Sequence, residues 1–132
     1  MGDSRAYLIR RADEEGGSAI SRITKDHSFV EKLLDMGNIT EEEALCHPNR
    51  NLVTRVLGPE SEAPSDSYLL QLLPGDYILL CTDGLVDTVS ARDIEREILG
   101  SDDDNTCLDR LLELAKRSGA ADNVTAVLIR RQ

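Results

Sequence analysis

Apolar positions along the chain follow two periods, one of strands and one of helices. Arg5 to Arg11 (RAYLIRR) and Ser18 to Thr24 (SAISRIT) carry strand-forming apolar residues around an acidic, glycine-bearing turn at Asp13-Glu14-Glu15-Gly16-Gly17, a pattern that predicts a hairpin. Ser28 stands three residues ahead of Glu31, and Phe29, Leu33, Leu34 and Met36 follow at mostly helical spacing before Gly37, which predicts a short capped helix. Thr40-x-x-Glu43, with Glu41 and Glu42 in the same first turn and Pro48 beyond it, predicts a second.

Pro59 to Ser67 has no period and reads as a solvated loop. Tyr68 to Leu73 (YLLQLL) and Tyr77 to Thr82 (YILLCT) flank Pro74-Gly75-Asp76, where Pro presets φ and Gly accepts a positive one, so a second hairpin is predicted. Its later strand is apolar on both faces and should be central and buried. Two helices follow, one capped by Ser90 with Asp93 and closed by Gly100, the other capped by Thr106 with Asp109 and closed by Gly119. The latter aligns Leu108, Leu111, Leu112 and Ala115 on one stripe that should cover a sheet face. Val124 to Ile129 (VTAVLI) reads as the last strand. This order defines an α+β fold with mostly antiparallel pairing, over a single domain 1–132.

Charge and composition narrow the chemistry. The 132 residues hold 15 Lys and Arg against 25 Asp and Glu, a net charge of −10, with a pI near 4.6. Lys and Arg cluster nowhere, so general nucleic-acid binding is disfavoured. Three Tyr and one Phe leave few stacking platforms, and recognition should be polar and ionic. No apolar run approaches the ~18 residues of a membrane span, and Met1 leads straight into Gly2-Asp3-Ser4-Arg5, so neither a membrane helix nor a signal peptide is expected. Cys46, Cys81 and Cys107 are odd in number and widely spaced, and they read as reduced thiols of a cytoplasmic protein. No glycine-rich nucleotide motif is present.

Two dipeptides are placed for chemistry. Asp83-Gly84 follows the most apolar strand directly, and Asp122-Asn123 immediately precedes the last one. Carboxylates at sheet ends suit a hard cation such as Mg²⁺ or Mn²⁺, which takes oxygen ligands and keeps several waters. Asp-Gly and Asp-Asn are also ordinary turn dipeptides, and on spacing alone the turn reading outweighs the metal one.

The motifs in order change that balance. Gly2-Asp3-Ser4-Arg5-Ala6-Tyr7, Thr24-x-Asp26-His27-Ser28-x-Val30, Gly37-x-Ile39-x-x-Glu42-Glu43-Ala44, His47-Pro48-x-Arg50-Asn51, Thr54-Arg55-x-Leu57-Gly58, Asp76-x-x-Leu79-Leu80-Cys81-Thr82-Asp83-Gly84-Leu85-x-Asp87 and Gly119-x-x-Asp122-Asn123-x-Thr125 run through essentially the whole chain. Together they closely resemble the metal-dependent protein phosphatase 2C family, most of all its bacterial serine/threonine phosphatases.

The resemblance implies a partial α-β-β-α sandwich, two packed mainly antiparallel sheets flanked by helices, forming the carboxy-terminal portion of that fold. It implies hydrolysis of phosphoserine and phosphothreonine in proteins by water held between two Mn²⁺ or Mg²⁺ ions. By position, Asp83 and Asp122 match carboxylates on the second metal, and Asp3 matches one that, with Asp83, holds a third, weaker metal. Asp87 and Asn123 match groups that orient ligands, with helix-start or turn roles as the bland alternative. The segment from about residue 24 to 57 resembles the family's flap; Arg50 and Arg55 within it are substrate-side candidates, an ion pair being the simpler account of each. His27 and His47 read as capping or hydrogen-bonding residues. The family's bridging Asp, in an Asp-Gly-Met-Gly-Gly type motif, and its phosphate-gripping Arg are expected in an amino-terminal half that precedes Gly2, so no catalytic residue is assigned here and the chain alone is expected to be inactive. Its expected partners are a phosphorylated protein substrate, a complementing amino-terminal half, or a second copy meeting an uncovered sheet face. A non-catalytic interaction module is the alternative function.

Overall fold

A computed structural model describes residues 1–11, 19–58, 62, 64–101 and 103–132. In chain order the elements are β1 (Arg5–Ile9), β2 (Ile20–Arg22), α1 (Phe29–Asp35), α2 (Glu41–Leu45), β3 (Tyr77–Cys81), α3 (Asp83–Val86), α4 (Ala91–Leu99), α5 (Asp104–Arg117) and β4 (Ala126–Arg130). They divide into two units, one of Met1–Ser4 with Lys25–Tyr68 and the other of Arg5–Thr24 with Leu69–Gln132.

The second unit is built on one antiparallel sheet of order β2-β1-β3-β4. Side chains alternate across a strand, so register assigns the faces. Ile9 pairs with Tyr77, Tyr7 with Leu79, and Leu79 with Leu128. This face is closed by Leu85, Val89, Ile94, Ile98, Cys107, Leu111 and Ala115 from the helical half, forming the hydrophobic core. The opposite face is also apolar: Ala6 pairs with Leu80, Leu80 with Val127, and Ile78 with Ile129. Leu80, Val127 and Ile129 remain 41%, 50% and 49% exposed. Thus β3 is central, as its sequence predicts, but buried on one face only. The described residues supply one sheet of the expected two, with helices on one side of it.

Three local expectations need correction. Tyr68 to Leu73 forms no strand. The Pro74-Gly75 turn is present, with Asp76 N–H donating to the Leu73 carbonyl at 3.0 Å and Gly75 at φ 91°. But β1 and β4 occupy both edges of β3, so a hairpin partner from that side has no edge to pair with. The cap of α5 is Asp103 rather than Thr106, because the Asp103 carboxylate accepts the Thr106 N–H at 2.7 Å and makes Thr106 the third residue of the helix. Finally, the four-residue α3 turns off β3 at once, where the sequence showed only a Gly-bearing exit. The β1–β2 pairing is present, whereas the predicted Asp13–Gly17 turn and part of the Pro59–Ser67 loop lie outside the described residues.

The first unit holds the two small helices. Ser28 accepts from Glu31 N–H at 3.2 Å to cap α1. Thr40 and Glu43 form the reciprocal capping box of α2: Thr40 Oγ1 accepts from Glu43 N–H at 3.2 Å while Glu43 Oε2 accepts from Thr40 N–H at 2.7 Å. Backbone bonds from Phe29 N–H to the Leu52 carbonyl, from Thr54 N–H to the His27 carbonyl and from His27 N–H to the Gly2 carbonyl tie its segments together.

Candidate metal centre

Asp83 and Asp122 arrive at the same end of the sheet by different routes. Cys81 ends β3 opposite Ala126, which starts β4, so the chain leaving β3 and the chain entering β4 run side by side. The contact between them is tight. Thr82 N–H donates to the Thr125 carbonyl at 3.1 Å. Thr82 Oγ1 accepts from Thr125 N–H at 3.0 Å and donates to the Asn123 carbonyl at 3.3 Å. On the far side of Asp83, Gly84 is buried so closely that a Cβ there would sit 2.5 Å from the Asn123 carbonyl oxygen. Only a residue without a side chain permits this approach.

Each aspartate orients itself on the next peptide. Oδ1 of Asp83 accepts from Gly84 N–H at 2.8 Å, and Oδ1 of Asp122 accepts from Asn123 N–H at 2.7 Å. Among the described residues, Oδ2 of each accepts no hydrogen bond. Asp83 is half-buried and Asp122 exposed. The donor set is two carboxylates on neighbouring chain segments, each with a lone-pair-bearing oxygen to spare, and it fits a hard divalent cation that completes its shell with water. No group of three or more His, Cys, Asp or Glu residues suited to a metal occurs among the described residues, so the set is partial.

The remaining candidates divide between the units. Asp87 closes α3, its N–H donating to the Asp83 carbonyl at 2.8 Å, which fixes the backbone beneath the carboxylate. Asn123 acts through its backbone, accepting from Thr82 and donating to Asp122. Asp3, Arg50 and Arg55 belong to the first unit. Arg50 Nη1 donates to the Leu45 carbonyl at 3.1 Å, at the end of α2. Arg55 Nη1 lies 3.3 Å from Asp66 Oδ1 and 3.3 Å from His27 Nε2.

Both histidines have structural partners. His27, only 9% exposed, places Nε2 2.7 Å from Asp66 Oδ2, and that hydrogen bond, followed by the Arg55 charge, holds the Asp66 carboxyl below the ordinary aspartate range. His47 Nδ1 accepts from Asn49 N–H at 3.1 Å, and its ring centroid lies 5.8 Å from that of Phe29. Burial pushes the Cys107 thiol up to about 11, which removes it as a nucleophile near neutral pH.

Sequence reading missed the roles of Thr82 and Gly84. It took Thr82 as the last residue of the strand Tyr77 to Thr82 and Gly84 as part of a turn dipeptide, and in the structure Thr82 lies past β3 at the start of α3.

The antiparallel sheet with helices on one side is the partial fold of a protein phosphatase, as comparison with known proteins shows. The profile of the family described as Stage II sporulation protein E matches residues 40–132. Protein phosphatase PhpP of Streptococcus pneumoniae is 39% identical over 132 residues, covering 98% of this chain and 50% of PhpP. The structure of the Streptococcus agalactiae serine/threonine phosphatase superposes with a TM-score of 0.91 at 31% identity, over 99% of this chain and 52% of that one. The catalytic domain of serine threonine protein phosphatase PstP, solved in complex with two manganese ions, superposes with a TM-score of 0.78 at 39% identity, over 97% of this chain and 50% of that one. The chain belongs to the phosphatase 2C (PPM) family of protein phosphatases. It spans about half the length of PhpP and of these structures.

Proposed function

We propose that this chain contributes the Asp83–Asp122 side of the metal centre in a protein serine/threonine phosphatase acting on phosphoserine and phosphothreonine. The observation that carries the reading is the contact, through Thr82, Gly84 and Asn123, between the two chain segments that bear these aspartates, whose positions by resemblance are those of the family's metal carboxylates. Mn²⁺ or Mg²⁺, when bound, lowers the pKa of coordinated water and offsets charge on the phosphoryl oxygens. The chain's own part is to present two carboxylate oxygens, each steered by an adjacent amide, from segments that the sheet prevents from drifting apart. Asp3 joins as a metal ligand on the strength of the resemblance, Asp87 and Asn123 as groups that hold the backbone beneath the ligands. The segment of about 24–57 is read as the flap, with Arg50 and Arg55 on its substrate side.

The apolar sheet face bearing Leu80, Val127 and Ile129 supports a complementing sheet as partner, since a face of this kind needs an opposing layer. The same face favours the second reading, an interaction or self-association module. Mn²⁺-dependent hydrolysis of para-nitrophenyl phosphate by the intact protein separates the two. Turnover that Asp83→Asn and Asp122→Asn each abolish supports the phosphatase; concentration-dependent mass in light scattering with no turnover supports the module. Among the described residues no helix is long and apolar enough to cross a membrane, and a cytoplasmic setting, with Cys46, Cys81 and Cys107 in no disulfide, accompanies the proposal.

A further inference from the structure

We propose that Thr82 is a positioning residue whose hydroxyl sets the spacing between the Asp83 and Asp122 carboxylates, an inference that rests on reading those aspartates as metal ligands.

Thr82 occupies the N-cap of α3 with extended backbone, φ −79° and ψ 164°. A threonine in that position ordinarily turns its oxygen onto the first helical amides. Here it makes no such bond. Its Oγ1 instead crosses to the segment entering β4, accepting from Thr125 N–H at 3.0 Å and donating to the Asn123 carbonyl at 3.3 Å. A residue that gives up its local partner in favour of a distant one marks a place where tertiary demands outweigh local preference.

The geometry is specific to the aspartates. Thr82 is peptide-bonded to Asp83, and Asn123 to Asp122, so the hydroxyl bond spans the pair one residue from each. Gly84 presses on the same Asn123 carbonyl from the other side of Asp83. Asp83 is therefore bracketed by two contacts with a single carbonyl oxygen, and that oxygen belongs to Asn123, the residue that follows Asp122. Mg²⁺ tolerates little departure from octahedral geometry and Mn²⁺ shares its oxygen preference, so a loosened bracket should weaken the site before it weakens the fold.

The test is made on the intact protein with Mn²⁺ alone as the probe. Free Mn²⁺ is titrated by electron paramagnetic resonance for the wild type, Thr82→Val, Thr82→Ser and Asp83→Asn, and exchange of the Thr125 amide is followed without metal. Thr82→Val keeps the shape and removes the hydroxyl. It should speed Thr125 exchange and weaken Mn²⁺ binding roughly tenfold, with its melting temperature little changed. Thr82→Ser should restore both. Unchanged Thr125 exchange in Thr82→Val overturns the proposal, as does wild-type Mn²⁺ affinity in that variant when Asp83→Asn has lost the site. If Asp83→Asn binds Mn²⁺ as the wild type does, the metal reading fails and the positioning role fails with it, by a pattern distinct from the first two. Thr82→Ala carries the same readouts should the valine variant not fold.

Discussion

Arg10 grips the carboxylate of Asp76 at two points, Nε donating to Oδ1 at 2.8 Å and Nη2 to Oδ2 at 2.6 Å, just beyond the pairing of Ile9 with Tyr77. Asp76 is 2% exposed and also accepts from Leu73 N–H at 2.7 Å. A carboxylate this deep persists only because its charge and lone pairs are answered.

The first prediction concerns acid stability. The Arg10 hydrogen bonds, chiefly, hold the Asp76 carboxyl below its ordinary value of 3.8. A carboxyl with a depressed folded pKa binds fewer protons folded than unfolded, so its stabilisation is full well above pH 3.8 and is lost as pH falls through the folded value. Asp76→Ala should cost about 2 kcal/mol near neutral pH, a figure kept low because Arg10 is partly in water. Thermal melts from pH 7 down to pH 2 should show the gap between variant and wild type narrowing only at the acid end. A gap independent of pH would refute the ionic account.

Gly84 supplies the second. Gly84→Ala brings a methyl to 2.5 Å from the Asn123 carbonyl oxygen, a backbone atom that cannot swing away. Destabilisation of about 2 kcal/mol is expected in urea denaturation. The amides of Asn123 and Thr125 should shift more in nuclear magnetic resonance spectra than those of α5. Chemical-shift changes confined to α3 would show that the two chain segments are not in contact.

The start of α5 gives the third. Asp103→Ala removes the acceptor for Thr106 N–H and should lower the urea midpoint. Thr106→Val leaves that acceptor in place and should lower it less. Equal losses would return the cap to Thr106.

The fourth isolates the His27–Asp66 pair. Because the His27 bond is the largest cause of the depressed Asp66 pKa, a carboxyl-carbon titration should place Asp66 below 3.8, and His27→Ala should raise it toward that value. No change in the variant would assign the shift to Arg55 instead.

What the sequence determined by itself was local or cumulative. The Thr40–Glu43 box, the Ser28 and Ser90 caps and the Leu73–Asp76 turn each close within four residues, so the atoms that satisfy them are visible in the pattern. The family was legible because five ordered motifs share one chain, and each aspartate was legible as a residue at a strand end. Their pairing came only from the family resemblance, and what brings their two segments side by side is the pairing of β3 with β4 across a stretch that contains α3, α4 and α5. Thr82 read as a strand end and Gly84 as a turn residue, whereas in the fold both meet the Asn123 carbonyl. Tyr68 to Leu73 had strand composition yet no strand, for its neighbours in the sheet were already chosen. Propensity describes what a segment can do alone, whereas each strand has two edges, and which segments take them is decided only by the folded whole.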